Sequence, residues 1–209
     1  MNAGSGYLLL VEDDPDILKL LETTLTFSGY RVITARNGRE GLETVQREHP
    51  AIVIADIMMP ELDGFGLVHR LRLNPRTRDI PVVFITATYV APEDREFAYN
   101  IGATQFIQKP IDLGEFLVTI AELIKQGVPV EIESLDEHNF YDRYRVRLET
   151  KLAQINKQIT RDQFVTGSLS KEDNESLKIS LRRIIRERDE INLLLDQVYE
   201  QLKKYADPE

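Results

Sequence analysis

Within AIVIADIMMPELDG, residues 51–64, five apolar residues run into a single carboxylate, Asp56, and Pro60 and the pair Asp63-Gly64 follow closely. Three other stretches end in groups that could act beside it. Glu12, Asp13 and Asp14 follow an apolar run from Tyr7, Thr86 closes PVVFIT, and Lys109 follows TQFIQ. Two carboxylates about 4 Å apart repel by roughly 4 kcal/mol at an effective dielectric of 20, so several together stay ionised only around a cation. Oxygen ligands with open positions suit Mg²⁺, which takes one or two carboxylates plus a phosphate. In that setting a carboxylate can attack phosphorus and form an aspartyl phosphate. Mg²⁺ and Lys109 would neutralise the phosphoryl oxygens, and Thr86 could hydrogen-bond one of them. Taken alone, Asp56 reads equally well as the opener of a turn. The surrounding elements decide between the two.

A short apolar run without alternation reads as a strand buried on both faces of a parallel sheet. Such runs lie near residues 7–11, 51–56 and 81–86, and two further short strands are predicted at 30–34 and 104–108. Between and after them come helical patterns: one through Ile17, Leu18, Leu21 and Leu25, one from Gly38 to Glu48, and one through Phe65, Val68 and Leu71. A weaker one spans Pro92 to Asn100, and the last runs from Asp112 to about Gln126. Strands alternating with helices predict an α/β unit with a five-stranded parallel, doubly wound sheet. Open sheets of this kind place their ligands at the carboxyl ends of the strands. All four chemical groups fall there, so the functional reading of Asp56 prevails.

Residues 7–126 resemble the receiver domain of two-component response regulators. The matching motifs are VEDDP at 11–15, the Asp56 stretch IADIMMPELDG, FITAT at 84–88 and FIQKP at 106–110, in order and at the family's spacing. The resemblance implies a flavodoxin-like sheet and phosphorylation of Asp56 by a cognate histidine kinase, a phosphotransfer protein or small phosphodonors. It implies Mg²⁺ at Asp13, Asp56 and the backbone carbonyl of Met58, with Glu12 as the second member of the acidic pair. Thr86 and Lys109 serve the phosphoryl chemistry in this reading, and a switch couples Thr86 to the aromatic Phe106. The family also implies a cis Lys109–Pro110 bond. Asp14 is an additional carboxylate that the motif leaves without a role. Such a domain is no enzyme toward outside substrates; it phosphorylates and dephosphorylates only itself.

Composition bounds the rest. The 209 residues hold 35 acidic and 26 basic side chains, a net charge of −9, which argues against general attraction to nucleic acid or anionic membrane. The absence of cysteine excludes disulfides and thiolate metal sites and suits a cytoplasmic protein. No segment approaches the roughly 20 apolar residues of a membrane helix. His49, His69 and His138 lack metal-ligand spacing, and the glycines at 38, 41, 64, 66 and 102 make no phosphate-cradling loop.

After a linker at 127–134 the composition turns to Leu, Ile, Arg, Glu and Gln. Two helices are predicted over about 135–165 and 171–205, split near Ser168 and opened by Ser170 with Asp173 three residues on. Leu177, Leu181, Ile184, Arg188, Ile191, Leu195, Val198, Leu202 and Tyr205 form one 4-3 seam; Leu148, Leu152, Ile155 and Ile159 form a shorter one. Folding about residue 168 pairs the seams as an all-α antiparallel coiled-coil hairpin. On that mirror rule Leu202 and Tyr205 overhang the first helix. Ile185, Leu193, Leu194 and Tyr199 widen the stripe, so the hairpin is expected to form a homodimer or to take a partner helix through 135–205. Arg182, Arg183, Arg186 and Arg188 admit a DNA-binding transcriptional regulator as an alternative. Glu187 and Glu190, at helical spacing from Arg183 and Arg186, favour a solvated, ion-paired face instead. A further alternative is the front of a longer regulator with an enzymatic output.

Overall fold

Buried, largely apolar runs form three central strands, β1 (Leu8–Val11), β3 (Ile52–Asp56) and β4 (Val82–Thr86), and shorter, half-polar segments form the edge strands β2 (Val32–Ala35) and β5 (Gln105–Gln108). All pair in parallel in the order β2-β1-β3-β4-β5. The computed structural model describes residues 6–126, 135–166 and 171–206. The chain divides into two units, Met1–Leu135 and Asp136–Glu209. The fold is the expected doubly wound α/β sheet followed by a helical region. Each strand begins one or two residues later than the sequence predicts. Among the described residues no helix is long and apolar enough to cross a membrane.

Five helices cover the sheet: α1 (Pro15–Phe27), α2 (Gly38–Arg47), α3 (Gly64–Leu73), α4 (Pro92–Asn100) and α5 (Leu113–Gln126). Alternate strand residues point to opposite faces. Leu8, Leu10, Ile52, Ile54, Val83 and Ile85 pack with Leu21 and Leu25 of α1 and with Phe116 and Ile120 of α5. On the other face Phe84 meets Phe65 of α3, which also meets Phe97 of α4. Side-chain oxygens cap the helices that leave the strand ends. Asp14 accepts from Asp16 and Ile17 N–H, Asn37 from Glu40 N–H and Asp63 from Gly66 N–H. Asp14, without a role in the motif, is thus the N-cap of α1, a contribution of about 1 kcal/mol.

Helix α3 begins hard against the end of β3. Gly64 N–H donates to Ile57 C=O at 2.8 Å, and a Cβ at residue 64 would collide with the Asp56 carbonyl and lie 2.9 Å from Ile57 Cα and Phe84 Cε1. Two of these neighbours are backbone and cannot give way. Gly64→Ala is expected to destabilise the chain by about 1–3 kcal/mol, read from urea unfolding, and to displace Asp56.

The second unit is two long helices, α6 (Glu137–Thr166) and α7 (Lys171–Ala206), packed against each other. Leu148, Ile155 and Ile159 are buried against a stripe made of Ile184, Ile191, Leu194, Leu195 and Val198. The α6 seam is longer than expected, extending to Phe140 and Tyr144, both buried. Contacts between His138 and Tyr205, Glu149 and Tyr199, and Lys151 and Glu187 establish the antiparallel sense. The midpoint of each pair lies C-terminal to residue 168. Helical side chains lean toward their own N-terminus, so touching residues in an antiparallel pair lie C-terminal to those directly opposite. Two expectations change as a result. Tyr205 does not overhang; its ring sits edge-on against His138, centroids 5.3 Å apart. Glu187 faces Lys151 of α6 at 3.8 Å, and Arg188 bonds Asp189 at 2.7 Å. The linker, the split near Ser168 and the Ser170 cap lie outside the described residues.

Candidate functional site

The carboxyl ends of β1 and β3 adjoin at the switch point of the sheet, where chain connections leave to either side. Glu12, Asp13 and Asp56 meet there, each with a carboxylate oxygen within 4.8 Å of the others. Glu12 and Asp56 are buried and Asp13 is exposed, so the cluster opens to solvent on one side. Lys109 arrives from the end of β5, where its N–H donates to Thr86 C=O at 2.8 Å. Its Nζ lies 2.9 Å from Glu12 Oε2 and 3.3 Å from Asp56 Oδ1. The Lys109–Pro110 peptide is cis. Glu12 Oε1 also accepts from Asp14 N–H at 3.3 Å, which joins the cluster to the cap of α1.

One ammonium does not balance three carboxylates. Burial, with the Glu12 charge adding to it, pushes Asp56 up to about 7, against the pull of Lys109. Glu12 is also raised, by burial first, with Lys109 opposing. Burial disfavours the charged Lys109, but Asp56 and Glu12 outweigh it and hold the ammonium above its ordinary range. The site therefore lacks positive charge, and its donors are hard oxygens converging on one point. This donor set fits Mg²⁺. Glu12, Asp13 and Asp56 would hold it, together with the Met58 carbonyl at the start of the β3–α3 loop. That loop is held from outside. Glu61 stands at φ 64°, its carboxylate taken by Asn37 Nδ2 at 3.1 Å and Arg39 Nε at 3.2 Å.

Thr86 and Phe106 are placed differently from the carboxylates. Thr86 is fully buried, and its Oγ1 accepts from Thr88 N–H at 3.1 Å and from Tyr89 N–H at 3.5 Å. Among the described residues no hydrogen bond joins that hydroxyl to Asp56, Glu12 or Lys109. Phe106 is buried beside Phe84 in the ladder, with the Arg95 guanidinium 5.2 Å from its ring centroid. The sequence reading missed Tyr89, 1% exposed and edge-on to Phe65 at 5.2 Å. The available signal was an aromatic three positions after Thr86.

The site is thus an acidic cluster at the switch point of a doubly wound sheet, with a lysine arriving from the last strand. The response regulator receiver domain family matches residues 8–121, more than half of the chain, and the chain belongs to that family. It is 38% identical over 120 residues to the protein named probable transcriptional regulator ycf27 of Pyropia yezoensis, covering 57% of this chain and 48% of that one. It is 37% identical over 134 residues to the transcriptional regulatory protein GlrR of Escherichia coli K12, covering 64% and 29%. The chain thus spans about half or less of the length of these curated relatives. Among solved structures, the signal receiver domain of a signal transduction histidine kinase from Syntrophus aciditrophicus superposes with a TM-score of 0.55 at 31% identity, covering 63% of this chain and 99% of that one.

Proposed function

We propose that the chain is a response regulator that takes a phosphoryl group onto Asp56 and signals through its helical hairpin. The observation that supports this best is Lys109 set between Glu12 and Asp56 in a carboxylate cluster short of positive charge. An Asp56 oxygen attacks the phosphorus of a phosphohistidine on a cognate kinase or phosphotransfer protein, or of a small phosphodonor. A new O–P bond forms as the donor's bond to phosphorus breaks. Mg²⁺, when bound, supplies the positive charge that keeps Asp56 ionised and offsets the phosphoryl oxygens. Lys109 holds the same charge from the protein side, and Thr86 and Phe106 carry the change outward. The chemistry is confined to the chain's own phosphorylation and dephosphorylation in the cytoplasm. The output is a second copy or a partner helix bound along 135–205.

A second reading is a DNA-binding regulator. Arg182, Arg183 and Arg186 are exposed on α7, and relatives are named as transcriptional regulators. Filter binding across a salt series separates it, since phosphate contacts weaken steeply with salt.

Light scattering after size exclusion, with Mg²⁺ and with or without beryllofluoride, tests the main reading. The wild type is expected to change in mass or shape and Asp56→Asn to stay constant. An unvarying dimer would place assembly in the hairpin alone, and an unvarying monomer would remove the homodimer.

A further inference from the structure

We infer that Tyr89 is a positioning residue for the chemistry at Asp56, acting through Thr86: its locked ring holds the Thr86 hydroxyl on the β4–α4 loop and away from an incoming phosphoryl group. This rests on Asp56 being the phosphoacceptor and adds the residue that sets how readily that state is reached.

The loop after β4 is pinned at both ends. At one end the Thr86 hydroxyl accepts from the amides of residues 88 and 89. At the other, the Tyr89 ring is buried edge-on against Phe65, interplanar angle 71°. Phe65 is itself fixed by Phe84 at 5.5 Å and Phe97 at 5.1 Å. It follows Gly64, whose backbone presses on the end of β3 at Asp56. One aromatic hub therefore joins the phosphoacceptor strand, the β4–α4 loop and α4.

A phosphoryl group adds about −1.5 to −2 charges beside Thr86. Threonine is β-branched, and its hydroxyl moves between a few discrete wells rather than by degrees. Turning toward a phosphoryl oxygen breaks the hydrogen bonds that both N–H groups donate to the hydroxyl. The two N–H groups must then find new acceptors, which carries the loop along and pulls the Tyr89 ring from the hub. The ring lock therefore opposes the phosphorylated arrangement, and loosening it favours that arrangement.

The test uses the full chain with Mg²⁺ and reads beryllofluoride affinity and the rate of Asp56 phosphorylation from acetyl phosphate. Tyr89→Ala is expected to tighten beryllofluoride about fivefold or more, a typical coupling between sites, and to speed phosphorylation. Tyr89→Phe, which keeps the ring, is expected to stay within about twofold of wild type. In a Thr86→Ala background the Tyr89→Ala gain is expected to vanish, which damage to packing alone would not produce. Should Tyr89→Ala fail to fold by circular dichroism, Tyr89→Leu fills the space without the aromatic edge and should show the same gain. A wild-type response with Tyr89 variants unchanged or weakened overturns this inference alone, as does a gain that survives Thr86→Ala. A wild type that neither binds beryllofluoride nor accepts phosphoryl overturns the phosphoacceptor reading itself.

Discussion

Asp56→Asn is expected to do two things at once: to abolish phosphoryl uptake and to make the metal-free protein more stable at pH 8. The first follows from loss of the nucleophilic oxygen, because the amide cannot form an aspartyl phosphate. The second follows from the raised pKa of Asp56. The folded carboxyl titrates near 7 and the unfolded one near its ordinary 3.8. Between these values the folded state holds a proton that the unfolded state has released, so stability falls as pH rises through that window and is flat outside it. The gap from 3.8 to about 7 corresponds to about 4 kcal/mol. Urea unfolding in EDTA should therefore show Asp56→Asn ahead of wild type by a few kcal/mol at pH 8 and by almost nothing near pH 4. Added Mg²⁺ should stabilise the wild type at pH 8 and much less at pH 5. A pH-independent gain would mean that burial does not raise the Asp56 carboxyl.

Lys109→Met should act in the opposite direction. The substitution keeps length and removes the charge, leaving Glu12, 2% exposed, and Asp56 without their cation. Breaking a buried pair by removing one partner costs about 3–5 kcal/mol, because the remaining charge stays desolvated. Without Lys109 the Asp56 carboxyl is raised further, so the cost is expected above pH 8 and should shrink as pH falls toward about 7, where Asp56 holds a proton in both proteins. It should also shrink in an Asp56→Asn background, since the two sites share one network and their effects are not additive. Phosphorylation from acetyl phosphate should slow by about 10²-fold, the scale for losing one group that stabilises developing negative charge. A loss of stability without a loss of rate would confine Lys109 to a structural role.

In the proposed function, a helical hairpin that follows the receiver domain separates chemistry from output. The hairpin has its own buried seam and charged flanks, with Arg145 bound to both Asp142 and Glu149, and Tyr199 closing onto Glu149 at 2.7 Å. It leaves Leu193 and Ile179 largely exposed on α7. These are the positions at which alanine substitution should weaken partner binding while leaving phosphorylation unchanged.

The sequence by itself determined the order of strands and helices, the four strand-end motifs and the change to a helical tail. Apolar period and residue type are local properties, and a parallel sheet brings strand ends to one edge whatever the side chains there do. Glu12, Asp13, Asp56 and Lys109 were readable for that reason, although 97 residues separate Glu12 from Lys109. Only the tertiary structure decided what each group touches. It set Lys109 across Glu12 and Asp56, turned the Thr86 hydroxyl onto the loop, and buried Tyr89 against Phe65. It made Asp14 a helix cap, and it moved the hairpin contacts C-terminally so that Tyr205 meets His138 and Glu187 meets Lys151. Hydrogen-bond direction, desolvation and side-chain lean depend on distances through space, and spacing along the chain carries none of them.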